Sequence, residues 1–288
     1  MTDAASIRVT LLGTGTPALR LDRFGPSTLV EIGDDRFLFD AGRGVAQRLA
    51  QLQVPFSQVD RLFLTHLHSD HVVGLPDLWL TGWVFGRSKP LRVWGPDGTA
   101  DMMEHLRLAF EADIHIRRDL DEQFPAEGIE APVSEFREGV VYDEDGVKIT
   151  AFDVDHRPVE PAFGFRIEHG GRSVVLSGDT RYSENLLKHA KGADLLIHEV
   201  CAPNSMRSQS VRAPQTTERI IHHHTTAEEA GKLFKLIAPK LAVFSHIVGP
   251  PGCEAEIVEA TRQHYAGAFE VGHDMMRIEV GDEVCIES

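Results

Sequence analysis

The segment Thr65-His66-Leu67-His68-Ser69-Asp70-His71 holds four metal-ligating side chains within six consecutive positions. Directly before it, residues 61–64 form a short apolar run that reads as a buried strand. Alternate residues on an extended segment point the same way, so His66 and His68 can face one ion together. Asp70 and His71 come after a turn and can face a second ion. Neutral imidazole and carboxylate are the donors of open catalytic zinc sites. A chain built around this run must bring the end of a buried strand into a cleft where further ligands meet it.

Two ions need more than four ligands, and the remaining candidates lie at the ends of other strands. His156 follows Val147–Asp153, Asp179 follows residues 174–176 within Leu176-Ser177-Gly178-Asp179-Thr180, and His246 follows residues 241–244. Each sits one to three residues beyond an apolar run, where α/β proteins place site residues.

Short β-branched runs alternate with helical patterns along the chain. Residues 7–12, Ser27–Ile32 and 36–39 read as strands, residues 44–52 as a helix, and residues 72–85 as a helix with an apolar face containing Trp79 and Trp83. Residues 91–94 read as a strand and residues 97–111 as an amphipathic helix. The Pro-, Gly- and acid-rich residues 113–146 read as loop with some edge strand. Strands return at Val147–Asp153, 163–168 and 173–176, the last two joined by a His169-Gly170-Gly171 hairpin turn, and again at 195–197 and 241–244. Many strands with helices between them predict two mixed sheets packed face to face and flanked by helices. No linker divides the 288 residues, so one domain is expected over 1–288.

Composition narrows the function. With 42% apolar and 25% charged residues the chain buries an ordinary core. No run of about 18 apolar residues suggests a membrane span, and the first ten residues lack an apolar leader core. Three widely spaced cysteines, Cys201, Cys253 and Cys285, argue against a disulfide framework and for a reducing cytoplasm. The net charge is −15, and residues 97–145 carry fifteen acids against four arginines. Nucleic-acid binders usually present a basic stripe, so this balance counts against a large nucleic-acid partner.

Taken in order, His-x-His-x-Asp-His, His156, Asp179 and His246 resemble the metallo-β-lactamase superfamily. Within it the chain is most similar to the branch of ribonuclease Z and arylsulfatase-like proteins. Leu12-Gly13-Thr14-Gly15-Thr16-Pro17, Phe39-Asp40-Ala41-Gly42, Gly74-Leu75-Pro76, Pro161-Ala162-Phe163-Gly164-Phe165, His198-Glu199 and His224-Thr225-Thr226-Ala227 carry the likeness. The resemblance implies an α/β fold, the αββα four-layer sandwich. It implies that His66, His68 and His156 hold one ion, that Asp70, His71 and His246 hold the other, and that Asp179 bridges them. Two Zn2+ are expected, with Mn2+ or Fe able to replace them, sharing a water whose hydroxide attacks an ester. Asp70, His224 and Glu199 are the expected catalytic residues: His224 as general acid outside the metal ligands, Glu199 orienting its ring. His222 and His223 read as solvated surface, and Thr225 or Thr226 as the cap of a helix at Ala227–Ile237.

Gly13-Thr14-Gly15 lacks the residues of a phosphate loop and reads, by the same resemblance, as a tight turn beside the site. Residues 202–222, with Arg207, Arg212 and Arg219, read as a mobile loop or as a lid whose arginines meet an anionic substrate, and Arg157 could do the same.

Two hydrolase readings share this site. The first is a phosphodiesterase or sulfatase-like enzyme for small anionic esters. The second is a tRNA 3′-end endonuclease like ribonuclease Z. The resemblance implies a basic tRNA-gripping arm between the third histidine and the bridging aspartate in ribonuclease Z. Here only 22 residues separate His156 from Asp179 and they read as a hairpin. Ser245-His246-Ile247-Val248 and Phe39-Asp40-Ala41-Gly42-Arg43-Gly44 also depart from the family pattern. The small ester is therefore the expectation, with tRNA the alternative and a homodimer implied by resemblance. A lactonase is a further, less favoured reading, and so is a redox diiron or persulfide protein, which the His224 motif and the lack of a flavodoxin domain disfavour.

Overall fold

Apolar β-branched and aromatic runs build the strands, and a computed structural model describes them within residues 6–287. The expectation for the first ten residues falls partly outside that range. In chain order the strands are β1 Ile7–Gly13, β2 Ser27–Ile32, β3 Asp35–Phe39, β4 Arg61–Phe63, β5 Arg92–Gly95, β6 Val133–Glu135, β7 Gly139–Glu144, β8 Val147–Asp153, β9 Phe163–His169, β10 Arg172–Leu176, β11 Leu195–Cys201, β12 Leu241–Val248, β13 Phe269–Val271, β14 Arg277–Val280 and β15 Val284–Ile286. They form an eight-stranded sheet in the order β15, β14, β1, β2, β3, β4, β5, β6 and a seven-stranded sheet in the order β13, β12, β11, β10, β9, β8, β7.

Three apolar layers hold the sheets and helices together. Between the sheets, Val9 and Phe37 from the first meet Phe165, Val174 and Ile197 from the second. Phe63 stacks on Trp94 at 4.7 Å and 6° there, and touches Phe165 edge-on at 6.0 Å. Such ring pairs add about 0.5–1.5 kcal/mol beyond the area they bury. Outside the first sheet, Leu49, Leu78, Trp79 and Trp83 come from flanking helices; outside the second, Leu186, Leu233, Phe234 and Ile257 do. This is the αββα sandwich. The central parallel strands β11 and β12 are buried at every residue because helices cover one face and the other sheet covers the opposite one.

Several elements differ from the sequence reading. The helix expected over 72–85 is two helices, Ser69–Val72 and Leu75–Val84. Gly74 breaks it where the chain passes the backbone of Ala41 and Gly42: its N–H donates to the Ala41 carbonyl, and a Cβ would lie 2.2 Å from the Gly42 oxygen. The acid-rich loop contains helical turns at Glu111–His115, Ile116–Leu120 and Ala126–Ile129. Trp79 and Trp83 pin it by donating to the Ile129 and Pro125 carbonyls at 2.8 and 2.9 Å. Residues 202–222 fold as two helices, Pro203–Gln209 and Pro214–Ile221, in place of a mobile loop. The β9–β10 turn is as expected: Gly170 and Gly171 both take positive φ, which a two-residue hairpin of this twist requires. No helix of the described residues is long and apolar enough to cross a membrane.

Candidate metal centre

The cleft lies where strand ends of both sheets meet. β4 leads directly into Thr65 and His66. His68 remains extended and starts the short helix Ser69–Val72, so Asp70 and His71 occupy its first turn. His156 follows β8, and Asp179 follows β10. His246 corrects the sequence reading: it lies within β12, not beyond it. Ser245 pairs with Glu199 and Ile247 with Val200, leaving His246 as an extra residue in a bulge at φ 42°. A bulge re-aims the side chain it carries. Glu199 likewise lies inside β11, because both central strands continue past their apolar runs.

The structure brings all seven expected ligands together. His66, His68, His156 and Asp179 form one group whose donor atoms lie within 4.8 Å of one another, and Asp70, His71 and His246 form another. Asp179 Oδ2 lies 3.9 Å from His66 Nε2, 3.8 Å from His156 Nε2, 3.4 Å from His71 Nε2 and 3.3 Å from His246 Nε2. His246 Nε2 is also 3.3 Å from Asp70 Oδ2, and His156 Nε2 is 3.3 Å from His68 Nδ1. Ligand atoms around a tetrahedral ion with bonds of about 2.0–2.1 Å stand about 3.3 Å apart. His66 Nε2 and His71 Nε2 are buried with no hydrogen-bond partner. Such atoms converging on carboxylates are what a bound cation satisfies.

The imidazoles are turned by their other nitrogens. His71 Nδ1 meets Asp40 Oδ2 at 2.7 Å, His66 Nδ1 meets Thr65 Oγ1 at 3.0 Å, and His156 Nδ1 meets the His223 carbonyl at 3.0 Å. With Nδ1 as donor in each, Nε2 is left to accept a metal. Asp40 also accepts from the Thr65 amide at 2.8 Å. Sequence reasoning quoted Asp40 and Thr65 within motifs but gave them no role. A carboxylate just past β3 was the available signal, the same one that found Asp179.

Electrostatics reflect the crowding. Burial, reinforced by the neighbouring imidazoles and opposed by Asp179, carries His66 well below its ordinary pKa and His156 down to about 4. Burial opposes charge on His71 too, yet Asp179 and Asp40 hold its pKa well above the usual range. Burial opposes charge on Asp179, and His246 and His71 override it and hold the carboxyl well below its ordinary value. Three carboxylates, those of Asp40, Asp70 and Asp179, thus converge on one buried place that demands positive charge.

His224 sits beside this centre, its ring 5.2 Å from that of His156 and 5.5 Å from that of His246. Its Nδ1 is 3.3 Å from Glu199 Oε2, while Glu199 Oε1 accepts from the Thr225 and Thr180 amides at 2.9 and 3.2 Å. Burial works against the imidazolium, and the Glu199 carboxylate outweighs it, pushing His224 up to about 9. His224 also groups with Asp179 and His246 at ligand distances, so the geometry alone permits it either role. Thr226, not Thr225, caps the helix Ala227–Ile237, in a reciprocal pair with Glu229. Thr225 instead donates its hydroxyl to the Thr180 carbonyl at 2.7 Å.

A cavity of about 460 Å³ opens above the centre, reaching His68, Asp70, Asp179, His224 and His246. Arg212 lines it; Arg219 does not. Arg207 is paired with Glu218 at 2.7 Å and lines a different cavity, and Arg157 is tied to Asp155 at 2.6 Å. The expected set of substrate-facing arginines therefore reduces to Arg212; Arg20, from the loop after β1, also lines the cavity, with its guanidinium paired to Asp22, and sequence reasoning missed it. His222 is exposed as expected, whereas His223 lines this cavity.

Comparison with known proteins agrees with this geometry. A family model described as "Beta-lactamase superfamily domain" matches residues 35–247. A ribonuclease Z of Mycobacterium sp. (strain KMS) is 40% identical over 291 residues, covering 98% of this chain and 99% of its own length. Among solved structures, the metallo-beta-lactamase fold protein YhfI from Bacillus subtilis superimposes with a TM-score of 0.74 at 20% identity, covering 95% of this chain and 99% of its own. The short form of human tRNase Z does so with a TM-score of 0.69 at 23% identity, covering 94% and 98%.

Proposed function

This chain belongs to the metallo-β-lactamase superfamily, in its ribonuclease Z branch, and from that premise we propose that it is a metal-dependent endonuclease processing tRNA precursors at their 3′ ends. The observation that carries the reading is 40% identity to a ribonuclease Z along 98% of the chain. The sequence-based preference for a small ester gains no support from the relatives, whose names favour the alternative.

In this reading one hydrolase domain spans 1–288. His66, His68 and His156 would hold one ion and Asp70, His71 and His246 the other, with Asp179 a candidate ligand to either. The all-imidazole and carboxylate donor set suits zinc. When bound, the two ions supply water activation and a clamp on the phosphoryl oxygens. The protein's side chains do the rest. Asp40 and Thr65 keep the ligand tautomers. Arg212 on the cavity wall offers charge-assisted hydrogen bonds to phosphate. His224, charged and held by Glu199, donates a proton to the leaving oxygen.

Two structural features favour a small phosphodiester instead. Between His156 and Asp179 the chain forms only the β9–β10 hairpin, with no projecting arm. The four arginines of residues 97–145 all pair with acids of that stretch, leaving none for an RNA backbone. The deciding experiment is kcat/KM of the zinc-loaded protein on precursor tRNA, bis(p-nitrophenyl) phosphate and p-nitrophenyl sulfate. Cleavage 3′ to the discriminator base at the higher kcat/KM supports the proposal; a faster small ester with no tRNA cleavage overturns it. The homodimer and cytoplasmic location rest on resemblance and composition, and sedimentation of the purified protein tests the former.

A further inference from the structure

The loop between β1 and β2 overhangs the metal centre. Residues 16–20 line the cavity, which Val211 and Arg212 also line, and Leu19 stands 81% exposed there. Arg20 pairs with Asp22 within the loop. At the loop's base the two stems run so close that a Cβ on Gly13 would lie 1.9 Å from the Gly25 oxygen, and Gly15 donates to the Phe24 carbonyl at 2.8 Å.

A single carboxylate from the far end of the chain ties this base. Asp274, its side chain 4% exposed, accepts from the Thr14 amide at 2.9 Å and the Thr14 hydroxyl at 2.8 Å through Oδ1. Through Oδ2 it accepts from the Phe24 amide and from Arg48 Nη2, both at 2.7 Å. Arg48 also covers the Phe24 ring at 4.1 Å. Arg23 locks the same knot, donating to Thr14 Oγ1 and the Gly272 carbonyl at 2.7 Å and to Glu254 at 3.1 Å. The Thr14 carbonyl in turn accepts from the amide of Ile247, next to His246. Asp274 thus touches both stems of the loop but none of the proposed ligands.

We propose that Asp274 is a positioning residue for substrate: it clamps both stems of the 15–24 loop and so sets the wall, with Leu19 and Arg20, that grips the group attached to the scissile phosphate. This rests on the cavity being the substrate site, as the proposed function has it. A wall held in advance binds without the ordering cost of a free loop, so loosening the knot weakens binding more than it slows the chemical step.

The test is Asp274→Asn. However the amide turns, its NH2 faces a backbone N–H, that of Thr14 or of Phe24, from which the carboxylate oxygen accepted, and that bond is lost. The expected result is KM raised about tenfold or more, kcat within about threefold, and two ions still bound. Trypsin should cut after Arg20 about tenfold faster, since the loop opens locally. In a double-mutant cycle Leu19→Ala should raise KM alone and add little to Asp274→Asn, because both act through one wall. If Asp274→Asn fails to fold, Thr14→Val removes the hydroxyl shared by Asp274 and Arg23 and carries the same expectations. Additive effects, an unchanged KM, or loss of metal would overturn the proposal. Should no substrate be turned over, the proposed function falls, while an unchanged tryptic rate would separately refute the clamp.

Discussion

Asp40→Asn should weaken one metal site and spare the other. Asp40 accepts from His71 Nδ1 at 2.7 Å through Oδ2 and from the Thr65 amide at 2.8 Å through Oδ1. Asparagine matches the carboxylate in size. Asp40 has φ 58°, a conformation asparagine tolerates nearly as well as glycine, so the substitution adds little backbone strain. What changes is hydrogen bonding. The amide offers one acceptor oxygen, and whichever way it turns, its NH2 faces an N–H. If it faces Thr65, a buried amide loses its partner, at a cost of about 1–3 kcal/mol. If it faces His71, the imidazole must present a lone pair at Nδ1 and carry its proton on Nε2, the atom pointing at Asp179 and Asp70. That tautomer cannot ligate. Loss of such an orienting carboxylate costs about 10–100-fold in metal affinity. The assay is chelator competition followed by elemental analysis. We expect one ion to leave at 10–100-fold lower chelator than in the parent protein, and the ion at His66, His68 and His156 to remain. Two ions held as tightly as in the parent would refute both the tautomer argument and the assignment of His71 as a ligand.

Asp179→Ala removes the oxygen that lies within 4 Å of four imidazoles, and purified protein should then carry fewer than two ions and lose activity, read by elemental analysis and turnover. His224→Ala should lower kcat by about a hundredfold with metal content intact, and less for esters with good leaving groups; loss of metal instead would make His224 a ligand. Thr226→Ala breaks the capping pair with Glu229 and should lower stability by about 1 kcal/mol, measured by urea unfolding, without changing metal content. Phe63→Ala empties a site between the sheets where Phe39, Trp94 and Phe165 meet one ring, and should cost about 3–5 kcal/mol in the same assay.

How much of this was legible beforehand follows from the range of each interaction. The His66–His71 run, the apolar stretches ahead of it and ahead of His156 and Asp179, and the Gly170-Gly171 turn are local signals, and strands, a turn and candidate ligands can be read from them. The layered architecture also follows from sequence, because alternating strands and amphipathic helices have few ways to bury their apolar faces. The chemistry of the site was written in residue types. Its assembly was not. That His246 reaches the centre from a bulge inside β12 depends on pairing with β11, which no local pattern records. That Asp40 turns His71, 31 residues away, and that the His223 carbonyl turns His156 across 67, are contacts only the packed sheets create. Residues 202–222 look like a loop until Met206 and Ile221 find an apolar patch against Cys201 and Val248. The arginines sorted themselves the same way: Arg207 looked free in sequence and is held by Glu218, while Arg212 lines the cavity. Asp274 shows the limit most plainly. Nothing around it in sequence hints at a role, and it acquires one 260 residues from Thr14 because antiparallel pairing lays β14 against β1 and brings the turn before it to the loop's base. Residue type and local order determine what a side chain can do; which partners it meets is decided by long-range burial, where the entropy of closing the chain is offset only by the packed whole.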